Sequence, residues 1–444
     1  MARIHFVGAG GASMSVLMQI ESELGHLVTG SDRKDGERLQ KLKAAGYDVY
    51  VGHNPDYARQ ADEVVFTGAA KSTDPEISAA AWANVKTVER GEFLADVCDN
   101  FKKTVAVSGT HGKTTVTALL SECFKNAGKK FCAHVGGEVN GFSGGFFFSG
   151  TDYMLTEACE YRKSFLHLKP LVAVVLNVEP DHSDTYKTKR ELEDAFFDFA
   201  NKTLAAGGAL VVSDEVKISR MQACASEKVM TYGFEKTSSV YAENVCEKGG
   251  FTEFDVWFYG RFYGRVKSCL HGLHNVMNAL ALICVCAHEQ IDKRAVMHTL
   301  TYFSGVKCRY EHICDLNGNM VVSDYAHHPT EIRSVISVAK ETGKTIAVYF
   351  QPHTYSRTAA LFDEFVAALC MADEVNLVKT YSARETESDG KNETDLYLAL
   401  PEGKRRKRFD SVEEAAKDIK NLPVSSRLVL TVGAGDITEI KKYL

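Results

Sequence analysis

Residues 104–115 read Thr-Val-Ala-Val-Ser-Gly-Thr-His-Gly-Lys-Thr-Thr, and a stretch with helical periodicity follows from Lys113 to Asn126. A short strand (Thr104 to Val107), a glycine-bearing turn and a helix in direct succession describe a phosphate loop. Gly109 and Gly112 let backbone N–H groups converge on phosphate oxygens, and the helix N-terminus adds positive potential. Lys113 supplies a cation for the terminal phosphates, and the Thr114 hydroxyl a ligand for Mg²⁺. The eight-residue pattern would need glycine at 107, where Val stands, so the loop is the shorter GxxGK[ST] form. A bare tight turn has no use for Lys-Thr-Thr. This stretch predicts a phosphate-binding α/β sheet.

Towards the N-terminus a second turn of related kind precedes it. Ile4 to Val7 reads as a strand, then comes Gly8-Ala9-Gly10-Gly11, then helical periodicity to about Gly25. A second strand, His26 to Thr29, ends at Gly30-Ser31-Asp32, completing a dinucleotide-type βαβ unit. Ser13 stands where GxGxxG has its third glycine, so a plain βα turn is the alternative. Two nucleotide-type loops in separate domains indicate two phosphorylated ligands. The alternation continues through Glu63 to Thr67 and a helix from about Pro75, then resets at Asp99-Asn100, placing a first domain at 1–98. The second, 99–308, carries helical stretches at Lys113 to Asn126, Lys189 to Asn201 and Asn275 to Ala287, with buried strands at Leu171 to Leu176 and Ala209 to Val212. The third, 309–444, repeats strand, polar loop and helix at Met320 to Ile332, Thr345 to Leu361 and Leu428 to Ile440. That repetition predicts another parallel sheet with helices on both faces.

The 444 residues are 45% apolar and 25% charged, which excludes global disorder and collagen. No apolar run approaches the ~18 residues that span a bilayer, and the opening MARIHFVGAGG lacks the apolar core of a secretory signal. A formal net charge of −6 argues against a nucleic-acid partner. Lys404 to Arg408 (KRRKR) then reads as a solvated loop, and Phe142 to Gly150 (FSGGFFFSG) as an ordered hairpin or loop. The 12 cysteines include no CxxC pair, so they are expected as reduced core or near-core thiols of a cytoplasmic protein rather than zinc ligands.

Acidic and imidazole groups follow two of the strands. Glu157-Ala-Cys-Glu160 comes after Tyr153 to Thr156, and Asn177-Val-Glu-Pro-Asp181-His182-Ser-Asp184 after Leu171 to Leu176. A parallel sheet delivers such residues to the edge that carries the phosphate loop, where they can hold Mg²⁺ bridging ATP phosphates. On its own chemistry, His182 is as readily a cap or a core histidine as a ligand.

Seven segments then occur in a telling order: GTHGKTT (109–115), TEACEYRKSF (156–165), LNVEPDHSDTY (176–186), GLHNVMNALA (272–281), SDYAHHPTEI (323–332), FQPHTYSR (350–357) and VGAGD (432–436). In these, over nearly its whole length, the chain resembles the Mur ligases, which build the bacterial cell-wall peptide. The opening FVGAGGASMS, HHPTEI and QPHTYSR look most like the alanine-adding branch. The resemblance implies three domains: an N-terminal Rossmann-like domain for the UDP sugar, a central P-loop ATP-binding sheet and a C-terminal Rossmann-like domain for the amino acid. It implies ATP and Mg²⁺ as cofactors, UDP-N-acetylmuramate and L-alanine as substrates, and a monomer or homodimer with no nucleic acid and no membrane partner. The implied chemistry is phosphorylation of a carboxylate, then attack of the amine on the acyl phosphate. Positioning and neutralisation of phosphoryl charge would carry such catalysis.

By motif, the resemblance assigns Gly109, Thr110, His111, Gly112, Lys113, Thr114 and Thr115 to ATP, with His274, Asn275 and Asn278 of HNxxNA and the interdomain Arg309. It assigns Thr114, Glu157 and His182 to metal, and Asp324, His327 and Arg357 to the acyl phosphate or the amino acid, completing a catalytic set with Lys113. Gly8, Gly10, Gly11, Ser31 and Asp32 would meet the UDP sugar. Departures from the family pattern are Cys159 and Arg162 within EADESD, Ser13 and Val16 in the opening glycine motif, and Thr354 in QPHRxxR. The alternatives are a ligase of the same fold that recycles a tripeptide onto the sugar, a nicotinamide-dependent oxidoreductase, and a nucleotide-sensing regulator without catalysis. The incomplete GxGxxG and the GKTT loop count against the second. Lys113, Glu157 and His182 together count against the third.

Overall fold

The computed structural model describes residues 1–71, 73–181, 185–216, 226–383 and 385–444. Short β-rich runs alternate with amphipathic helices throughout, and they assemble three sheets. The first holds β1 (Arg3–Val7), β2 (Leu27–Asp32), β3 (Asp48–Val51), β4 (Glu63–Phe66) and β5 (Lys86–Glu89), all parallel, in the order β3-β2-β1-β4-β5. The order reverses at β1, and the Gly8 turn leaves that strand's C-terminal end, where α/β sheets open a ligand crevice. Strand β2 runs on through Gly30-Ser31-Asp32, three residues beyond its expected end, because β1 and β3 flank it on both sides. Gly30 is required there: a Cβ would lie 2.7 Å from the Ala9 Cβ of the passing turn.

The second sheet has ten strands: β6 (Lys103–Ser108), β7 (Phe131–His134), β8 (Phe146–Phe148), β9 (Tyr153–Glu157), β10 (Val172–Val175), β11 (Ala209–Ser213), β12 (Val229–Gly233), β13 (Val240–Lys248), β14 (Phe251–Phe258) and β15 (Arg261–Ser268). Their order is β15-β14-β13-β12-β11-β10-β6-β9-β7-β8. The strand of the phosphate loop, β6, lies between β10 and β9, parallel to both. Val172–Val175 is wholly buried, as expected of a β-branched run covered on both faces. FSGGFFFSG supplies β8, antiparallel to β7, with the Phe147 ring 4.9 Å from both Phe131 and Phe142. The meander β13–β15 is antiparallel. It was not anticipated, because its alternation is broken by bulges after Glu243 and Val256.

The third sheet comprises β16 (Glu311–Leu316), β17 (Asn319–Asp324), β18 (Ile346–Phe350), β19 (Glu374–Val378), β20 (Arg405–Phe409) and β21 (Leu428–Val432), ordered β16-β17-β21-β18-β19-β20. It is parallel except for β16, which pairs antiparallel at one edge. The closing segment Asp436–Lys442 is a 3₁₀ helix rather than an α-helix. KRRKR is corrected from a loop to the edge strand β20, where Arg405, Lys407 and Arg408 pair with Glu374, Asp418 and Glu393. Such charges protect an open sheet edge from pairing with another chain. The described cysteines form no disulfide, and Cys246 is exposed rather than in or near the core.

The chain divides into two compact units, one reaching to Ser304 and one made of Gly305–Leu444 with Asp181 and His271–Asn275. In the first, one hydrophobic cluster runs continuously from Ile4 and Met14 to Phe196 and Val212, joining the first two sheets. Among the described residues no helix is long and apolar enough to cross a membrane.

Candidate active site

The helix Lys113–Asn126 begins after Gly112, whose φ of 84° is left-handed, and no side chain caps it. Several helices elsewhere carry a side-chain cap, among them those begun at Asn54, Asp74, Thr188, Asp292 and Ser411, whereas Ala12–Glu23, Glu37–Ala44, Tyr355–Ala360 and Phe362–Leu369 do not. An uncapped start leaves N–H groups pointing out of the helix, the arrangement that binds anions. The first internal bond runs from Val116 N–H to the Gly112 carbonyl, so the open donors lie between Gly112 and Thr115. A Cβ on Gly112 would stand 2.8 Å from Asn278 Oδ1. The asparagine of HNxxNA therefore presses on the phosphate loop, and only glycine fits beneath it.

The rest of the loop is shaped by Asn177 at the end of the neighbouring strand. Its Oδ1 accepts the His111 N–H at 2.8 Å, its amide donates to the His111 carbonyl at 3.1 Å, and its own carbonyl accepts Thr110 N–H. The Thr110 hydroxyl donates to the Glu179 carbonyl at 3.0 Å. Lys113 is part-buried. Its ammonium bonds both oxygens of Glu160, at 3.1 and 2.9 Å, and the carbonyls of Gly109 and Thr110. Burial works against its charge, but the groups around it, Glu160 foremost, together raise the ammonium above its ordinary range. Glu160 lies within a motif quoted above, yet no spacing rule singled it out.

Glu157 ends β9 in register with Val107 at the root of the loop. Its Oε1 accepts the Gly136 N–H at 2.6 Å. Thr114 stands in the first turn of the uncapped helix. Hydroxyl and carboxylate oxygens are the hard donors that suit Mg²⁺. His182, the third assigned ligand, lies outside the described residues.

The N-terminal turn differs from the expectation in one respect. Gly8 and Ala9 donate N–H bonds to the Ser31 carbonyl, Gly11 donates to Gly8, and Gly10 donates to Asp32 Oδ2 at 3.0 Å. Asp32 thus braces the turn. Ser31, assigned to the UDP sugar, is 1% exposed, and its hydroxyl donates to buried Glu76. The open donors belong to the helix Ala12–Glu23, which also lacks a side-chain cap and whose first internal bond is Ser15 N–H to Gly11. Beside them Ser13 Oγ lies 2.8 Å from His134 Nε2, an ordering no sequence spacing announced.

The second unit gathers its own cluster. Asp324 ends β17 and accepts backbone N–H bonds from Tyr310 (2.7 Å) and Ala326 (2.8 Å). Burial pushes its carboxyl up to about 6, against the pull of Arg309. Arg309 lies over the Tyr325 ring at 5.4 Å and 3.9 Å from Glu331. His327 takes its backbone bond to Glu331 and its ring bond with the Tyr325 carbonyl; burial pulls its pKa down to about 4. Its neighbour His328 caps the helix Pro329–Lys340 in a reciprocal box with Glu331. Arg357 forks onto Asp181, through Nε at 3.1 Å and Nη2 at 3.2 Å, and donates to the His353 carbonyl. Thr354, standing where the family pattern has Arg, donates to Glu385 at 2.7 Å. Asn275 donates to the His271 carbonyl, and His274 precedes it near the start of the helix Leu273–His288.

Residues 3–102 match the model of the Mur ligase family catalytic domain, 107–286 that of the Mur ligase middle domain, and 308–435 that of the Mur ligase glutamate ligase domain. The UDP-N-acetylmuramate–L-alanine ligase of Clostridium beijerinckii is 38% identical over 100% of this chain and 97% of its own length. That of Agathobacter rectalis is 36% identical over 99% and 97%. Among solved structures, the UDP-N-acetylmuramate-alanine ligase of Thermotoga maritima superposes with a TM-score of 0.85 at 28% identity, covering 100% of this chain and 98% of that one. A murein peptide ligase from Psychrobacter arcticus shares the fold, with a TM-score of 0.74 at 23% identity over 100% and 98% of the two chains. With the three domain models matched in order and full-length likeness on either side of them, the chain belongs to the Mur ligase family.

Proposed function

We propose that this chain is an ATP-dependent ligase that joins L-alanine to the carboxylate of UDP-N-acetylmuramate, releasing ADP and phosphate, in the synthesis of peptidoglycan precursors. The observation that carries the reading is Lys113, held ionised by Glu160 beside an uncapped helix start. Residues 1–98 bind the sugar nucleotide, 99–308 bind ATP and 309–444 bring the amino acid. The enzyme works in the cytoplasm as a monomer or homodimer.

A carboxylate is a poor electrophile until one oxygen becomes a phosphate leaving group. Its oxygen attacks the γ-phosphorus, the bond to the β-phosphate oxygen breaks and ADP leaves. The alanine nitrogen, having lost a proton, attacks the carbonyl carbon, and the C–O bond to phosphate breaks. Lys113 and the open N–H groups from Gly112 to Thr115 oppose the charge of the transferring phosphoryl group. Asn177 and Asn278 hold the loop in shape. Thr114, Glu157 and His182 would hold Mg²⁺, which when bound neutralises phosphate charge. Asp324, ionised above about pH 6, accepts the alanine ammonium, and Arg357 and the neutral His327 complete that pocket.

ADP release measured with UDP-N-acetylmuramate and a panel of single amino acids and a tripeptide tests the proposal. Turnover should be fastest with L-alanine. Preference for the tripeptide would move the chain to the recycling reaction, and silence with every acceptor would refute the ligase reading.

A further inference from the structure

Five polar groups form one directed chain between the two glycine-rich regions of the first unit. Arg90 Nη1 lies 3.4 Å from Ser13 Oγ, which lies 2.8 Å from His134 Nε2. His134 Nδ1 lies 2.9 Å from Thr156 Oγ1, and that oxygen is 3.1 Å from the Glu157 carbonyl. His134 is 3% exposed and Thr156 is fully buried. Donor and acceptor roles along the chain have one consistent assignment. The Glu157 carbonyl only accepts, so the Thr156 hydroxyl donates to it and accepts from the ring proton on Nδ1. Nε2 of the neutral ring then accepts the Ser13 proton, while Ser13 accepts from Arg90.

The two ends of this chain are functional elements. Ser13 belongs to the first turn of Ala12–Glu23, the uncapped helix start that follows the N-terminal glycine turn. Thr156 immediately precedes Glu157, and it stands in register with His134. Two residues beyond His134, the Gly136 N–H holds the Glu157 carboxylate at 2.6 Å. His134 ends β7, whose other residues Phe131, Cys132 and Ala133 are apolar and all buried. A buried imidazole with both nitrogens engaged fixes geometry more than it adds stability.

We propose that Ser13, His134 and Thr156 are positioning residues, a relay that sets the pose of the sugar-nucleotide turn and of the metal-binding carboxylate Glu157 relative to each other. This deepens the ligase reading and rests on it. Ser13, a departure from the family's glycine, thereby has a task of its own.

The test uses the full chain carrying Ser13→Ala, His134→Leu, both together, and His134→Gln. Binding of UDP-N-acetylmuramate is measured by calorimetry without metal, and the Mg²⁺ concentration for half-maximal ADP release by steady-state assay. Ser13→Ala and His134→Leu should each weaken sugar-nucleotide binding by about 3- to 10-fold, the worth of one buried hydrogen bond. His134→Leu should raise the Mg²⁺ requirement by a similar factor. The double variant should be no weaker than His134→Leu alone, since both cut one connection. Gln places an amide oxygen near the Nε2 position, so His134→Gln should recover sugar-nucleotide affinity. A lower melting temperature with both affinities unmoved would overturn the relay, and so would additive losses in the double variant. Absence of ADP release by the parent chain would overturn the ligase reading and the relay with it; parent turnover with unmoved variants would overturn the relay alone.

Discussion

Lys113→Ala should destabilise the protein as well as slow phosphoryl transfer. The Glu160 side chain is 1% exposed and lies 2.9 Å from the lysine ammonium, whose side chain is 15% exposed. Removing one partner of a buried ion pair costs roughly 3–5 kcal/mol, because the remaining charge loses its compensation. Water reaches part of Lys113, so the lower end, about 3 kcal/mol, is the appropriate figure. At roughly 2 °C per kcal/mol for a unit of this size, the melting temperature should fall by about 5–6 °C. Loss of a positioned cation at the phosphoryl transition state should lower kcat on the order of 10³-fold. Combining Lys113→Ala with Glu160→Gln separates the two effects. The neutral amide removes the stranded charge, so most of the lost stability should return while kcat stays on the order of 10³-fold down. Differential scanning calorimetry and ADP release on the parent, both single variants and the double variant check this. A Lys113→Ala protein melting within about 2 °C of the parent would refute the pairing argument, and ADP release regained by the double variant would refute the catalytic role.

Gly112→Ala should weaken nucleotide binding, because the left-handed φ costs a non-glycine residue about 1–2 kcal/mol and the new Cβ meets Asn278 at 2.8 Å; equilibrium binding of ADP measures it. The kcat/KM for L-alanine should fall as pH drops through about 6, where the Asp324 carboxyl protonates, and a profile flat from pH 7 to 5 would contradict the assignment. His134 contributes in the opposite pH sense to a salt-bridged histidine. Burial, with Arg90 nearby, pulls its folded pKa down to about 3, so the fold favours the neutral ring. That stability is fully present above the unfolded pKa of about 6.5 and is lost as pH falls below it, amounting to about 2 kcal/mol at pH 5. Denaturant melts at pH 7 and pH 5 should therefore differ less for His134→Gln than for the parent.

Sequence periodicity located the helices that carry their own apolar stripe. Lys113–Asn126 has the expected bounds, and the helix expected from Lys189 to Asn201 extends to Ala205, its face of Leu192, Phe196 and Phe199 wholly buried. It failed where neighbouring strands decide the outcome. Gly30-Ser31-Asp32 looks like a stop signal, yet pairing on both sides keeps it in β2. KRRKR has the composition of a loop, yet acids at 374, 393 and 418 wait beside it on other elements. For KRRKR those partners lie 11 to 31 positions away. The same limit hid Glu160 as the partner of Lys113 and His134 as the partner of Ser13, 121 residues apart.

The glycine motifs show most clearly what a local reading can and cannot supply. Glycine at 8, 10 and 11 correctly marked a place where a strand turns sharply into a helix. It did not identify the donors, because Ser31, Asp32 and Gly8 itself take up the N–H groups of residues 8–11. The same division holds at the second loop, where Asn177 takes the N–H groups of Thr110 and His111. In both places the glycine turn is an internally bonded wedge, and the uncapped helix behind it presents the free donors. Anion affinity should then follow the helix starts, at Ala12 to Met14 and at Gly112 to Thr115. Substitutions within the turns would act by shifting those starts. That is why Ser13, which lies inside the first of them, is tied down by a buried histidine.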